Sequence, residues 1–500
     1  MEIFLRRLAL ATVAWLTLWS GANAWATPGQ PGTLDLTWAG TGKQLTPVGG
    51  SGNLDEAYAM AIQPDGKTVQ AGECASATLV AFCVVRYNAD GSLDTGFNGS
   101  GKVITPTGSS TSGARGIAIQ PDGKIILVGY CFSASNQDFC VLRLNSNGSL
   151  DNAFNGTGKV ITPVGSNSDF ATAVAVQIDG RIVVAGSCDN GTRFDFCAAR
   201  YTANGGLDSS FNGAGKVITP GNSEGIASAV AIQTDGRIVL VGTCGSTSFC
   251  GVRYNVDGSL DTTANGSGQF GANPGGRVDQ ATAIAIQADG KFVIAGSCYN
   301  GTVNDFCMVR FDGANASLDF GFSGTWRVIT PVGNSGGLAN AAFVQPDGKI
   351  VLAGLCVNGG NFDFCAVRYN ANGTLDNGFN GSGKLITPVG NGIDRVTAAA
   401  IQLDGKIVLA GSCASSSGSN VFCTARYDGG PFGAQNCKLD IDGDNRILPA
   451  TDSLIHARIA LGLTGDAVVA GITFPAEATR KTWTSIRTYL VTQCGMNLPL

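Results

Sequence analysis

The sequence predicts an all-β fold: a seven-bladed β-propeller of four-stranded antiparallel blades, followed by a small α-helical module carrying a calcium loop. Three observations lead there: a unit that recurs seven times, four strand-like segments inside each unit, and a change of pattern after the last copy.

The unit is marked by Leu-Asp at 34, 93, 150, 207, 260, 318 and 375, at intervals of 59, 57, 57, 53, 58 and 57 residues. The order within each unit is constant: a segment of the type LDxxFNGxGKVITPVG, an apolar run ending in Gln, a turn xDGK or xDGR, IVLAGxC, a polar loop, and FCxVRY. KVITP, ATAVAVQ, KIVLAGSC and FCAVRYN have strand length and β-branched content. Asp-Gly joins the second and third segments in all seven copies, from Asp65-Gly66 to Asp404-Gly405. Glycine there supplies the positive φ of a tight hairpin. One meander cannot bury both of its apolar faces, so the units must stack. Four strands per unit fit propeller blades, whereas β-helix coils are far shorter. The repeats span 34–429, and the sequence leaves open whether the ring closes by strand exchange.

Composition agrees. Charged residues are 14% of the 500, against about 25% in an average soluble chain, while 72 glycines are about double the usual share. At 44% hydrophobic, the chain has ample core material. Beyond residue 26 there are 30 basic and 36 acidic residues and no Lys/Arg run, which excludes a nucleic-acid partner of the basic-patch kind. A single histidine, His456, excludes multi-histidine metal sites.

Residues 1–26 read as a Sec-type signal peptide, with MEIFLRR, an apolar stretch LALATVAWLTLW, and small residues around Ala24 and Ala26. No later stretch is apolar for the 18 residues a transmembrane span needs. The expected location is secreted, periplasmic or cell-surface. Export gives the 16 cysteines their meaning as eight disulfides between sequence neighbours: Cys74/Cys83, Cys131/Cys140, Cys188/Cys197, Cys244/Cys250, Cys298/Cys307, Cys356/Cys365, Cys413/Cys423 and Cys437/Cys494. In the repeats each pair brackets the connection from the third to the fourth strand of its unit, where antiparallel partners are expected to lie close enough to bond.

The unit LDxxFNGxGKVITP…AIQPDGKIVLAG…F.VRYNADGSLD resembles the delta-60 repeat of exported bacterial proteins. That resemblance implies a propeller-like repeat and no established enzymatic activity. The cysteine pair in each unit departs from the family pattern.

Residues repeated seven times make poor active sites, because chemistry needs a place that breaks the symmetry. Arg86, Arg143, Arg200, Arg253, Arg310, Arg368 and Arg426 occupy one position, and a Leu-Asp aspartate follows each where a next unit exists. A cationic ring is one reading; an Arg–carboxylate pair fixing each blade corner is the simpler one. NADGSLD, with Asn88, Asp90 and Asp94, resembles a calcium loop but lacks its first acid, and reads as an Asx-type turn. Eight residues before the repeated Gln stand Asp55, Asp169, Asp279 and Asp394 in units one, three, five and seven, against Ser112, Gly225 and Gly337 in the others. These acids form a candidate rim for a cation or sugar, with loop capping as the alternative.

After residue 429 the repeat ends, 430–436 form a linker, and 437–500 form a separate module. CKLDIDGDNRILPATDSLIHARIALGLTG places Asp440, Asp442 and Asp444 at alternate positions, a carbonyl near Arg446 and a later acid, Asp452, as ligands for one calcium ion. The segment resembles a dockerin-type EF-hand with one extra residue before Asp452. The second loop of that family is missing, with Asp466 alone, which argues against a cohesin-type partner. Trp483, Ile486, Tyr489 and Leu490 have helical spacing and are expected to pack on Leu454, Ile455 and Ile459.

The function expected is a non-catalytic binding scaffold for a glycan, a protein or a cell surface. The alternative is a polysaccharide-active hydrolase or lyase, which would use two carboxylates in one pocket, Asp55 with Glu56 or Asp169 with Glu224.

Overall fold

The computed structural model describes residues 30–49, 55–76, 79–107, 110–133, 136–221, 223–245, 247–402, 404–430, 441, 451, 455, 465–476 and 478–492. The expected signal peptide, Cys437, Cys494 and the expected calcium ligands Asp440, Asp442, Asp444, Arg446 and Asp452 lie outside these residues.

Seven four-stranded antiparallel sheets form a seven-bladed propeller. Blade 1 runs outward from the channel as Glu56–Ile62, Thr68–Ser76, Leu79–Tyr87 and Lys102–Thr105. KVITP, the leading segment of each sequence unit, is therefore the outer strand of the preceding blade. The offset leaves one strand over at the N-terminal end and the last blade one strand short. Lys43–Thr46 becomes the outer strand of blade 7, pairing with Asn420–Tyr427 in the register Lys43↔Ala425 to Thr46↔Phe422. The ring thus closes by strand exchange.

The middle strands of each blade are buried on both sides, which explains why IVLAG and FCxVRY are nearly continuous apolar runs. The core lies between blades. One cluster joins Val69, Phe82 and Val84 of blade 1 to Ile125, Leu127 and Leu142 of blade 2, and equivalent clusters repeat around the ring. At each Asp-Gly turn the glycine alone is left-handed (Gly66, φ +81°), while Asp65 caps the N–H of Lys67. The turn is a type I turn closed by a left-handed glycine rather than a two-residue loop.

Each inner strand carries a bulge near its start, at Ala57/Ala59 in blade 1 and at the same place in the other six. The bulge presses the inner strand onto the AG of IVLAG. A Cβ at Gly72 would stand 1.9 Å from the Glu56 carbonyl oxygen, so only glycine fits.

Seven disulfides, one per blade, join the expected neighbours: Cys74–Cys83, Cys131–Cys140, Cys188–Cys197, Cys244–Cys250, Cys298–Cys307, Cys356–Cys365 and Cys413–Cys423. Two details differ from the sequence expectation. Because the outer strand belongs to the next sequence unit, the bonds link the second and third strands of a blade, not the third and fourth. The bonded cysteines also do not face each other across the ladder. Cys83 stands opposite Gly72, Cys140 opposite Gly129 and Cys307 opposite Gly296, while their partners Cys74, Cys131 and Cys298 face Ala81, Asp138 and Asp305. Each bond therefore runs diagonally, over the glycine that the bulge requires. Each restricts the unfolded chain by about 2–3 kcal/mol in the chain-entropy model. The disulfides fit an extracellular or secreted setting.

The C-terminal segment includes the α-helix Trp483–Thr492. Its Trp483, Ile486 and Leu490 pack with Ile441, Ile455 and Val468 in a small core of their own. No helix among the described residues is long and apolar enough to cross a membrane.

Candidate functional site

The repeated arginines are structural. Arg86 Nε lies 2.7 Å from Asp94 Oδ2, and the same bond joins Arg143 to Asp151, Arg200 to Asp208, Arg253 to Asp261, Arg310 to Asp319, Arg368 to Asp376 and Arg426 to Asp35. Each guanidinium is buried and reaches a carbonyl of the next blade, Ser146 in the case of Arg86. In five blades a Phe of the next unit lies beneath it, Phe97 at 4.3 Å from Arg86, and Trp38 lies beneath Arg426. Asp90 accepts the N–H and hydroxyl of Ser92, the geometry of an Asx turn.

The four rim aspartates stand at the starts of the inner strands of blades 1, 3, 5 and 7, one to a blade, with blades 7 and 1 adjacent in the closed ring. All are buried, and their carboxylates accept backbone N–H groups. Asp55 takes those of Val48 and Gly49, Asp169 those of Val164 and Gly165, Asp279 those of Gly275 and Tyr299, and Asp394 those of Val389 and Gly390. Burial raises Asp55, Asp169 and Asp394 above the usual carboxylate range, against the pull of these donors. Before blades 4 and 6, where glycine replaces the acid, Asp195 and Asp305 of the preceding blades hold the loop through the N–H groups of Gly221 and Val332. Glu224 is exposed on the loop entering blade 4. Among the described residues there is no group of three or more His, Cys, Asp or Glu arranged to hold a metal.

A different place breaks the symmetry. The bulge projects one residue per blade into the central channel: Tyr58, Arg115, Thr172, Ser228, Thr282, Asn340 and Thr397. Thr172, Thr282, Asn340 and Thr397 donate to the inner-strand carbonyls of the next blade, at Ala227, Ala339, Val396 and Ala57, over 2.6 to 2.9 Å. They form a girdle of small polar groups consumed by the fold. The residue before the first cysteine of each pair shows the same contrast. Ser187, Thr243 and Ser412 accept the next blade's N–H, whereas blades 1 and 2 carry Glu73 and Tyr130.

These departures meet in one corner. Arg115 Nη1 lies 2.7 Å from Glu73 Oε1, which also accepts the Tyr130 hydroxyl at 2.7 Å. The guanidinium stands 3.7 Å from the centre of the Tyr58 ring, and Tyr58 donates to Glu56 Oε2 at 2.5 Å. Glu56 and Glu73 are paired across the strands, and Gly113 of blade 2 leaves the space Glu73 needs, since a Cβ there would be 2.1 Å from Glu73 Oε1. Burial and the Glu73 carboxylate push the Tyr130 hydroxyl up to about 12, and burial raises Tyr58 further, so both phenols are held as donors. Phe170 extends the surface, edge-on to Tyr130. Tyr58 and Arg115 also line the central channel, an open cavity of 220 Å³ to which all seven blades contribute, with Thr172, Thr282, Asn340 and Thr397 among its walls. Of the corner's polar groups the sequence reading named Glu56. Tyr58, Glu73, Arg115 and Tyr130 were visible as odd members of otherwise uniform columns of the repeat.

The fold and the repeated corner define the class: a repeat β-propeller. Within it, seven stretches of the chain match the family described as "Domain of unknown function (DUF5122) beta-propeller", at residues 63–97, 120–154, 177–211, 233–263, 287–322, 345–379 and 402–429. No curated protein sequence matches the chain. Among solved structures, polysaccharide lyase Uly1 is similar at 12% identity and TM-score 0.45, over 76% of this chain and 91% of that one. Virginiamycin B lyase from Staphylococcus aureus is similar at 11% identity and TM-score 0.44, over 77% and 99%. Chaetomium thermophilum Sqt1, bound to the N-terminus of ribosomal protein L10, is similar at 10% identity and TM-score 0.39, over 77% and 100%.

Proposed function

We propose that this protein is an exported, non-catalytic scaffold that binds a glycan at the channel mouth between blades 1 and 2. The observation that carries this reading is the Tyr58–Arg115–Glu73–Tyr130 corner, which replaces groups that elsewhere hold the ring together. Aromatic faces suit the apolar side of a sugar ring, and a guanidinium beside carboxylates offers donors and acceptors for vicinal hydroxyls. The cavity of 220 Å³ is smaller than the roughly 300–1,000 Å³ of drug-sized pockets, a scale that suits one sugar residue. The buried, backbone-capped state of Asp55 and Asp169 favours binding over hydrolysis, since neither carboxylate is open to a substrate.

Calcium binding by Asp440, Asp442, Asp444, Asp452 and the Arg446 carbonyl is proposed as a separate property of the C-terminal module. The glycan reading is tested by probing an oligosaccharide array with the full chain and with Arg115→Thr. Sugar binding by the parent, lost in a folded variant, is the expected result; equal binding by both removes the corner as the site.

A further inference from the structure

Six of the seven propeller disulfides are sealed. Their twelve cysteines, from Cys74 and Cys83 in blade 1 to Cys413 and Cys423 in blade 7, are each at most 1% exposed. In blade 4, Cys244 and Cys250 are both only half-buried. The difference follows from three local changes in sequence.

The first is the hairpin. The cysteines of blade 4 are 6 residues apart, whereas the other pairs are 9 or 10 apart, so a shorter loop overhangs the bond. The second is the roof. In TPVG the valine packs with the disulfide of the following blade: Val48 with Cys74 and Cys83, Val164 with Cys188 and Cys197, and Val332 with Cys356 and Cys365. Before blades 2 and 5 Thr107 and Pro274 take its place and the pairs stay sealed, so the roof acts only together with the other two changes. Before blade 4 the sequence is Thr219-Pro220-Gly221, and the loop to the inner strand is one residue shorter than that before blade 3. The third is the outer strand. The residue opposite the second cysteine is Ile104, Ile161, Ile218, Ile329, Ile386 or Leu45 in the other blades, but Gly271 in blade 4. Where these side chains would be, a cavity of 40 Å³ reaches both cysteines, lined by Gly221, Ser223, Gly225 and Phe270.

We propose that Cys244–Cys250 is a thiol-exchange site, open to low-molecular-weight thiols while the ring stays folded. A thiolate attacks one Sγ along the S–S axis, forming a mixed disulfide and expelling the other cysteine as a thiolate. A second thiol attacks the mixed disulfide, releasing the oxidised thiol dimer and leaving both cysteines reduced. Two thiols supply the two electrons, and the cysteines take their protons from water. The blade is expected to survive because Cys244 and Cys250 sit at the margin of one of its core clusters, that of Leu240 and Val252, while Val239, Val241, Phe249 and Phe270 build another without them.

The experiment exposes the folded full chain to reduced glutathione, quenches with iodoacetamide, and follows each cysteine by peptide mass spectrometry, with circular dichroism run alongside. Cys244 and Cys250 are expected to react at least tenfold faster than any of the other twelve propeller cysteines, with the β signal unchanged. Equal rates for all seven pairs, faster reaction of another pair, or reaction only on loss of the β signal overturns the proposal. Two variants check the cause. Gly221→Val with Gly271→Ile is expected to slow blade 4 toward the others. Val164→Gly with Ile218→Gly is expected to make Cys188–Cys197 reactive. A blade 3 pair that stays inert in the folded variant overturns the assigned cover.

Discussion

Arg426 Nε lies 2.6 Å from Asp35 Oδ2, although 391 residues separate them in the chain. The same aspartate accepts Lys406 Nζ at 2.6 Å, and the Arg426 guanidinium rests 4.6 Å from the Trp38 ring. Together with the exchanged strand, this corner ties the first repeat to the last. Removing the carboxylate leaves a buried guanidinium without its ion partner, at a cost of about 3–5 kcal/mol. Asp35→Ala is therefore expected to lower the denaturant midpoint strongly and to broaden the transition, because it loosens the joint between the chain's ends. Asp208→Ala, which breaks an equivalent pair inside the chain, is expected to lower the midpoint without that broadening.

Acid stability divides the aspartates into two sets. Burial opposes ionisation of Asp35, but Lys406, Thr37 and Arg426 outweigh it and hold the carboxyl at about 2. Asp94, Asp151, Asp208, Asp261 and Asp319 are lowered in the same way. A lowered folded pKa means stability that is present above the unfolded value of 3.8 and lost as pH falls toward 2. The loop-capping Asp55, Asp169, Asp305 and Asp394 are raised by burial, so their contribution has the opposite sign and declines as pH climbs above 3.8. Urea unfolding from pH 2 to 7 is expected to show a steep rise in stability up to about pH 4 and a flatter course above it. Asp169→Asn is expected to lessen that flattening while leaving the acid limb in place.

The girdle and the candidate site make opposite demands on one position. Thr397 bridges blade 7 to the Ala57 carbonyl of blade 1 at 2.8 Å, and Thr397→Val is expected to cost about 1 kcal/mol. Arg115→Thr moves the other way. Threonine there reproduces the residue of blade 3, whose hydroxyl reaches Ala227 of the next blade. The variant is expected to melt within a few degrees of the parent while losing ligand binding, which separates a binding role from a structural one.

The strand content was legible in the sequence because period-two patterning and Asp-Gly punctuation are local signals. The blade boundaries were not. Lys43–Thr46 looks the same whether it opens its own blade or closes another, and its partner Asn420–Tyr427 lies at the far end of the chain. Cysteine spacing was enough to pair Cys131 with Cys140 and Cys298 with Cys307. Their diagonal geometry was hidden, because it depends on the register that sets Cys140 against Gly129 and Cys307 against Gly296. The repeated arginines were readable as corner pairs because each aspartate follows closely on its arginine. The channel corner escaped because its members come from two blades: the bulges turn Tyr58 and Arg115 inward, and only the packing of blade 2 on blade 1 brings them to Glu73 and Tyr130. Position 55 drew attention as a lone acid in alternate units, yet its carboxylate is consumed by the N–H groups of Val48 and Gly49.

The last expectation concerns calcium. Asp440, Asp442 and Asp444 fall within five residues, and three carboxylates so close repel one another unless protons or a divalent cation neutralise them. Hard oxygen donors at alternate positions, a carbonyl near Arg446 and the later Asp452 supply a calcium-type ligand set. The ion would bind the folded loop and not the unfolded chain, so occupancy raises the stability of whatever packs on that loop. Ile441, between the first two aspartates, is buried against Ile455, Val468, Trp483, Ile486 and Leu490, and its carbonyl accepts Arg480 Nε at 2.7 Å. That small core is therefore the part of the protein that calcium should stabilise. Calorimetry of the full chain is expected to show a transition for residues 437–500 that moves up in millimolar calcium and down in chelator, with the propeller transition unmoved. Asp440→Asn with Asp442→Asn is expected to abolish the shift. Titration should give one ion with a dissociation constant of about 10⁻⁴–10⁻³ M, the range of extracellular modules. Identical melting with calcium, with chelator and in the variant would reduce Asp452 to a helix cap and remove the metal from the molecule's account.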